Sequence, residues 1–317
     1  RIYTDELRLL AWGTDAGFYR LIPKIVIRAK DENEVSRLLA LADKYTLPVT
    51  FRAAGTSLSG QSISDSILIV AGKNWEKYSI SEDFERITLQ PGIIGARVNE
   101  ILKPHGRKFA PDPASVKSAM VGGIVMNNAS GMNCGTHANS DKELLSAKIV
   151  LADGTRLNTG DPESRTTFEK NHTPFLNKII EIRDEIRNDN ELSDRIRKKY
   201  SIKNVTGLNL LPFVIYDDPF DIIAHLMVGS EGTLAFLSEV TMKTEHDYPY
   251  SASAMLYFSN IKDACRAVVA MKPGPVFSAE LLDKKSLASV NDTTGTGLTA
   301  VLTETKADTP EELQANI

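Results

Sequence analysis

The stretch Arg52-Ala-Ala-Gly-Thr-Ser-Leu-Ser-Gly-Gln-Ser62 decides how the rest of this chain is read. Gly55 and Gly60 bracket four residues, as in the G-x-x-x-x-G-K-[ST] loop that cradles nucleoside triphosphates, but Gln61 stands where that loop has lysine. After Ser62 comes a short polar turn and then the apolar run Ile67-Leu68-Ile69-Val70, a strand where a triphosphate loop needs a helix. These two departures set the triphosphatase reading aside. The backbone chemistry survives it. Ala53, Ala54, Gly55 and Thr56 carry small or modest side chains directly after a strand. Glycine takes positive φ without steric cost, and small neighbours let main-chain N–H groups converge on an anion. Thr56, Ser57, Ser59 and Ser62 add hydroxyl donors. Such a loop suits a pyrophosphate held without lysine or metal; a polar turn between strands is the plain alternative.

Working upstream, Ile25-Val26-Ile27 predicts a short strand, and Asp31 with Glu34 predicts a capping box. Val35, Leu38, Leu39 and Ala42 then form one apolar helical stripe. Pro48 cannot continue that helix, and Val49-Thr50-Phe51 reads as the next strand, so the order predicts a parallel βαβ unit.

Downstream, Ile87-Thr88-Leu89 predicts a strand, and Ile94, Val98, Ile101 and Leu102 mark a helix stopped by Gly106. A second glycine-rich stretch, PDPASVKSAMVGGIVMNNASG, runs from Pro111 to Gly131. Lys148 to Leu157 reads as a hairpin turning at Asp153-Gly154. The charged segment Thr173 to Tyr200 predicts a helical insertion with a solvated outer face. A helix over Phe220 to Val228 leads through Gly229-Ser230-Glu231-Gly232-Thr233 into a strand over Leu234 to Met242.

Beyond Tyr248 the pattern predicts strands at Ala254–Phe258, Val276–Leu282 and Leu298–Thr303, with helices at Ile261–Met271 and Lys284–Val290. Thr309-Pro310 opens a further helix that stops one turn later, and the chain starts at Arg1, so a piece of a longer protein is expected.

The 317 residues allow about two domains, and 42% hydrophobic with 25% charged residues is an ordinary globular composition. A net charge of −4 gives no field to gather nucleic acid or an anionic membrane. No run of 18 apolar residues predicts a membrane span. Cys134 and Cys265 are far apart and form neither a disulfide framework nor a zinc or iron–sulfur motif, which points to a reducing cytoplasm. His105, His137, His172, His225 and His246 lack ligand spacing, so no metal site is expected; His137 draws notice because it follows the second stretch. No G-x-G-x-x-G occurs, which disfavours a nicotinamide cofactor held in the Rossmann manner. Two glycine-rich stretches in one domain could instead enclose an extended dinucleotide.

In order and approximate spacing, RAAGTSLSGQS, PDPASVKSAMVGGIVMNNASG, KIVLADG and VGSEGTLAFLSEV resemble the flavoenzymes of the vanillyl-alcohol oxidase fold. More narrowly, the chain is similar to the FAD-linked D-lactate, glycolate and D-2-hydroxyglutarate dehydrogenases. The runs NNASGMNCGTHANS and IKNVTGLNLL look most like the large bacterial D-2-hydroxyglutarate dehydrogenases with a fused iron–sulfur domain. The likeness is good over Ile22 to Met242 and weak beyond.

This resemblance implies an α/β (α+β) fold. A two-subdomain FAD-binding domain would occupy 1–245 (about 20–75 and 76–245), followed at 246–317 by the truncated start of a ferredoxin-like substrate cap. It implies that Ala53, Ala54, Gly55, Thr56, Ser57, Gly60, Gln61 and Ser62 hold the FAD pyrophosphate. Pro111, Asp112, Ser115, Ser118, Gly122, Gly123, Asn127 and Gly131 would follow the ribityl chain and flavin, with Glu231 and Gly232 closing against the cofactor. With no histidine between Arg52 and Ser66, the FAD is expected to be non-covalent.

The implied activity is oxidation of a D-2-hydroxy acid (D-lactate, D-2-hydroxyglutarate or glycolate) to the 2-oxo acid, by hydride transfer to flavin N5. Electrons would pass to a further acceptor such as a fused iron–sulfur domain. Catalytic residues are not identified and are expected past residue 317. A flavin-binding or electron-transfer module without substrate chemistry, or a sugar-alcohol or lactone oxidase of the same fold, is the alternative. The expected compartment is the cytoplasm, with a peripheral seat at the inner membrane as the variant.

Overall fold

The computed structural model describes residues 1–132, 134–135, 137–290 and 298–317; Asn133 and Thr136 of the run quoted above lie outside it. The described chain forms two compact units, Arg1–Glu245 and His246–Ile317.

The first unit contains two sheets. In the first, β1 (Ile2–Tyr3), β2 (Ile25–Arg28), β3 (Val49–Arg52) and β4 (Ile67–Val70) lie in the order β1-β2-β4-β3. β2 and β3 both run parallel to β4, with Val26 and Thr50 paired to Leu68 from either side. The expected βαβ unit is therefore present, but with β4 slotted between its strands.

The connecting helix Glu32–Lys44 begins where Asp31 accepts a hydrogen bond from Glu34 N at 2.9 Å. The reciprocal half of the capping box slips by one residue, because the Glu34 carboxylate accepts from Lys30 N and pairs with Arg1. Val35, Leu39 and Ala42 are buried from that helix, and burying side chains such as Val35 and Leu39 stabilises by about 1.5–3 kcal/mol each. Strand alternation sorts the sheet's two faces. Ile69 packs with the helix side and with Phe236, while Val26, Leu68 and Val70 meet Tyr3, Leu9 and Trp12 on the other.

The second sheet comprises β5 (Tyr78–Ile80), β6 (Arg86–Leu89), β8 (Leu144–Val150), β9 (Arg156–Asn158) and β10 (Phe236–Lys243), in the order β5-β6-β10-β8-β9, all antiparallel. The two-residue strand β7 (Arg107–Lys108) lies outside it. The predicted hairpin is β8–β9, with Gly154 at φ +87° in its turn. Helices Gly95–Leu102, Val121–Asn127, Pro162–Asn188 and Pro219–Leu226 cover this sheet and share the largest core, which includes Leu89, Ile124, Ile149 and Ile222. Most residues of the charged 162–199 segment face outward, while Phe168, Leu176, Ile179 and Ile196 anchor it. Val121–Asn127 is a helix inside the second glycine-rich stretch, where no helix was expected.

In the second unit the central strand Thr299–Ala307 pairs antiparallel with Tyr250–Phe258 on one side and Ser278–Leu282 on the other. Helix Ile261–Met271 links the two outer strands, which are parallel to each other across the central one, giving a split βαβ arrangement.

Candidate functional site

A cavity of about 350 Å³ opens in the first unit, within the size range of small-molecule sites. One wall is the loop after β3: Ala53, Ala54, Gly55, Thr56, Ser57, Gln61 and Ser62 line it. The facing wall comes from Ser115 and from helix Val121–Asn127, through Gly122, Gly123 and Asn127. Where the walls meet, a Cβ added to Gly123 would lie 3.9 Å from the Ala53 Cβ. Glu231 and Gly232 close a third side, and Phe51, Ala71 and Phe236 form an apolar lining. Phe51 and Phe236 pack together with ring centroids 5.2 Å apart, and Phe236 in turn meets Trp75.

Five residues expected here do not line the cavity. Gly60 (φ +81°) donates its N–H to Asp15 Oδ2 at 3.0 Å. Ser118 closes a turn on Ser115 O through its N–H, 2.8 Å away. Gly131 backs onto Asp112, whose carbonyl oxygen lies 2.0 Å from where a Gly131 Cβ would be. Pro111 is buried ahead of that contact. These positions shape the stretches that carry the lining residues.

The first loop is held in place from the N-terminal segment. Ala16 N donates to Gly55 O and to Ser57 O, each at 3.1 Å. Asp15 Oδ1 accepts from Gly17 N at 2.8 Å while its other oxygen takes Gly60 N. Gly55 at φ +74° lets the Arg52 guanidinium lie directly behind it, 2.4–2.6 Å from the absent Cβ. Arg52 donates to Thr14 O at 2.6 Å and lies over the Trp12 ring. Burial pulls the Arg52 pKa down, against the opposing pull of Asp15. Within the loop, Gln61 Oε1 accepts from Ser57 Oγ and from Ser59 N.

Glu231 occupies the left-handed region at φ +55°, costly for a residue with a side chain and flanked by Gly229 and Gly232, which also have positive φ. Its N–H donates to Met126 O at 2.9 Å, and its Oε1 accepts from Asn127 Nδ2. Burial raises the Glu231 pKa, partly offset by hydrogen bonds from Asn127 and Gln61. The turn thus bonds to both glycine-rich stretches.

Two lining residues carry buried polar atoms with no partner, Ser62 Oγ and Arg52 Nε. Both can donate, which fits a ligand rich in acceptor oxygens. Arg52 was not among the residues expected from sequence, although it begins the quoted stretch. Its signal was a lone cation at the strand end, and what concealed its role was that β3 alternation decides which way it points. Pro91, Phe51 and Phe236 also line the cavity unforeseen, as apolar residues carrying no chemical signature.

Among the described residues no group of three or more His, Cys, Asp or Glu is gathered as for a metal ion, and no helix is long and apolar enough to cross a membrane. His225 is buried, with Nδ1 against Asp221 O and Nε2 against Tyr216 Oη, and burial lowers its pKa; it serves the core. His105 stacks on Phe84 and His172 on Phe168.

Residues 23–160 match the FAD binding domain family. The chain is 26% identical to D-2-hydroxyglutarate dehydrogenase of Haemophilus influenzae over 303 residues, covering 90% of this chain and 28% of that protein. It is 25% identical to the glycolate oxidase subunit GlcD of Escherichia coli over 297 residues, covering 92% of this chain and 49% of that one. The chain thus spans between a quarter and a half of the length of these relatives. A solved structure of alkyldihydroxyacetonephosphate synthase superposes with a TM-score of 0.65 at 15% identity, over 99% of this chain and 54% of that one. Residues 23–160 are thus similar to FAD-binding domains, and the chain shares the fold of the alkyldihydroxyacetonephosphate synthase structure.

Proposed function

We propose that this chain is the flavin-binding part of an FAD-dependent dehydrogenase that oxidises a D-2-hydroxy acid, of the D-lactate, glycolate or D-2-hydroxyglutarate type, to the 2-oxo acid. The observation that carries this reading is the meeting of two distant glycine-rich stretches and the Glu231-Gly232 turn around one cavity. The similarity to D-2-hydroxyglutarate dehydrogenase and glycolate oxidase sequences supports the substrate class.

When bound, FAD supplies the hydride acceptor at its N5 atom. The chain's own part is binding and orientation. Main-chain amides from Ala53 to Ser57 and the unpartnered Ser62 hydroxyl hold the diphosphate. Ser115, Gly122, Gly123 and Asn127 position the remainder from the opposite wall, and Phe51, Ala71 and Phe236 exclude water beneath it. Gly60, Pro111, Asp112, Ser118 and Gly131 act through the shape of the two stretches. Glu231 is the one carboxylate lining the cavity, and Asn127 already engages it. The base that takes the substrate hydroxyl proton is therefore assigned to parts of the full-length protein other than this lining. The absence of histidine between Arg52 and Ser66 supports a dissociable flavin. Two free cysteines suit a reducing cytoplasm. An electron acceptor, such as an iron–sulfur module of the full-length protein, completes the cycle.

The test is the visible spectrum of the purified protein after incubation with FAD and gel filtration. Stoichiometric flavin that is released by acid precipitation is expected, and a colourless protein that takes up no FAD overturns the proposal. Anaerobic addition of D-lactate, glycolate or D-2-hydroxyglutarate should then bleach the flavin band and reduce an added dye. A second reading, a flavin-binding module without substrate chemistry, is favoured by the lack of a free acid–base group in the cavity lining; flavin uptake without bleaching would select it.

A further inference from the structure

We propose that Arg52 is the counter-charge of the diphosphate site, a positioning residue that acts through the wall of the first loop. This inference rests on the FAD reading and deepens it.

Three observations converge. Among the residues that line the cavity, Arg52 is the only cation, and Glu231 the only anion. A dinucleotide diphosphate brings two negative charges, and the loop has no lysine to meet them, since Gln61 stands in that place. The guanidinium is also built into the loop rather than set beside it. It lies against Gly55, where any side chain would collide with it at 2.4–2.6 Å, so glycine is needed there both for φ +74° and for this contact. Finally, its donors are divided. Nη1 is committed to Thr14 O at 2.6 Å and Trp12 O at 3.3 Å, anchoring the N-terminal segment. Nε is buried with no partner.

A buried, unpaired N–H on a cation is costly in a protein that leaves it so. An anion on the cavity side of Gly55 offsets the burial of this cation by field across the loop, with the loop amides between the two charges. Asp15 balances the guanidinium and fixes Gly17 N and Gly60 N, so the charge is held at one place. Planar, weakly hydrated guanidinium suits this seat better than an ammonium, because one group must serve carbonyls on one edge and an anion on the other.

The experiment compares dissociation constants of FAD and of riboflavin, which lacks phosphate, for the wild-type chain, Arg52→Gln and Arg52→Lys, with the thermal midpoint of each apoprotein. In Arg52→Gln, FAD affinity should fall about 10- to 100-fold while riboflavin affinity stays within about twofold; Arg52→Lys should recover part of the FAD loss. Equal loss for both flavins would show that Arg52 only maintains the fold, and unchanged FAD affinity would show that its charge is not felt; either result overturns the inference while leaving the FAD reading intact. Should Arg52→Gln fail to fold, Arg52→Lys decides: it keeps the charge, so FAD affinity should fall by less than about tenfold with riboflavin affinity constant, and an equal loss for both flavins overturns the inference. A wild-type chain that binds neither flavin overturns the proposed function, and this inference with it.

Discussion

In the first glycine-rich stretch, Gly55 and Gly60 have φ of +74° and +81°, and the loop is pinned by Asp15 and Ala16 from elsewhere in the chain and backed by Arg52 at its own start. In the second, Gly122, Gly123 and Gly131 have no positive φ. What they supply is room. A Cβ on Gly122 would lie 2.5 Å from Pro91 Cβ, and one on Gly131 would lie 2.0 Å from Asp112 O. The same residue type thus answers two different demands: conformation in one wall of the cavity, close approach in the other. Substitutions that separate these demands test the contrast.

The largest effect is expected at Gly131. Replacement by alanine sets a methyl against the Asp112 backbone, which cannot swing aside as a flexible side chain can. Gly131→Ala should lower stability by about 3 kcal/mol or more in urea unfolding, at the upper end for overpacking. A loss under about 1 kcal/mol would mean that the second stretch adapts and that its glycines are not there for space.

Just beyond the second stretch, the helix Ser140–Glu143 ends in a carboxyl that is buried with Oε2 unpartnered. Burial first, then repulsion from Glu245, raises the Glu143 pKa to about 7, with Lys243 and Arg107 opposing. The raised value fixes the sign. Below the ordinary carboxyl pKa the group is protonated in both states; between there and about 7 only the unfolded chain gives up its proton, so stability falls as pH rises. The total loss is about 3 kcal/mol, reached above pH 7. In Glu143→Gln that slope disappears. Measured against their difference at pH 4, the variant should gain on the wild type by about 2–3 kcal/mol by pH 8. Parallel pH profiles would show that Glu143 is ionised in the folded protein near neutrality. The first stretch has no such orphan carboxyl, since both oxygens of Asp15 accept backbone N–H groups.

Asp15 therefore carries the complementary prediction. Asp15→Ala removes the acceptors of Gly17 N and Gly60 N and should cost about 1–3 kcal/mol, with weaker FAD binding, while leaving the pH slope of Glu143 in place. If stability and FAD affinity both persist, the first loop holds its shape through its own backbone, and the contrast between the walls reduces to glycine conformation alone.

How much of this was legible in the sequence follows the range of the forces involved. Asp31, Glu34 and the Val35–Leu39–Ala42 stripe act within a few residues, and the helix Glu32–Lys44 formed where they placed it. The order β2-β4-β3 was hidden, because Ile25–Arg28, Val49–Arg52 and Ile67–Val70 are all short apolar strands and nothing local ranks their partners. The helix Val121–Asn127 was hidden because Gly122-Gly123 weakens any helix; those glycines are explained by Pro91, about 30 residues away, and by the facing Ala53. At the site, the loops were visible through their composition. Arg52 was not, since its role depends on the Thr14 and Trp12 carbonyls it binds.

Gly123 carries the smallest expected change in stability and the cleanest separation of fold from site. A methyl there meets only Ala53 Cβ at 3.9 Å, an ordinary contact, and φ is not positive. Gly123→Ala should leave stability within about 0.5 kcal/mol, or raise it slightly as alanine suits a helix better than glycine. The same methyl lies on the cavity lining, facing Ala53 of the other wall. FAD affinity should therefore fall by roughly tenfold, about 1.4 kcal/mol, with no change in the unfolding midpoint of the apoprotein. Gly131→Ala shows the reverse order of effects, stability first. If Gly123→Ala binds FAD as tightly as the wild type, the ligand does not touch the Gly123 face of the cavity, and the second wall is scaffold rather than site.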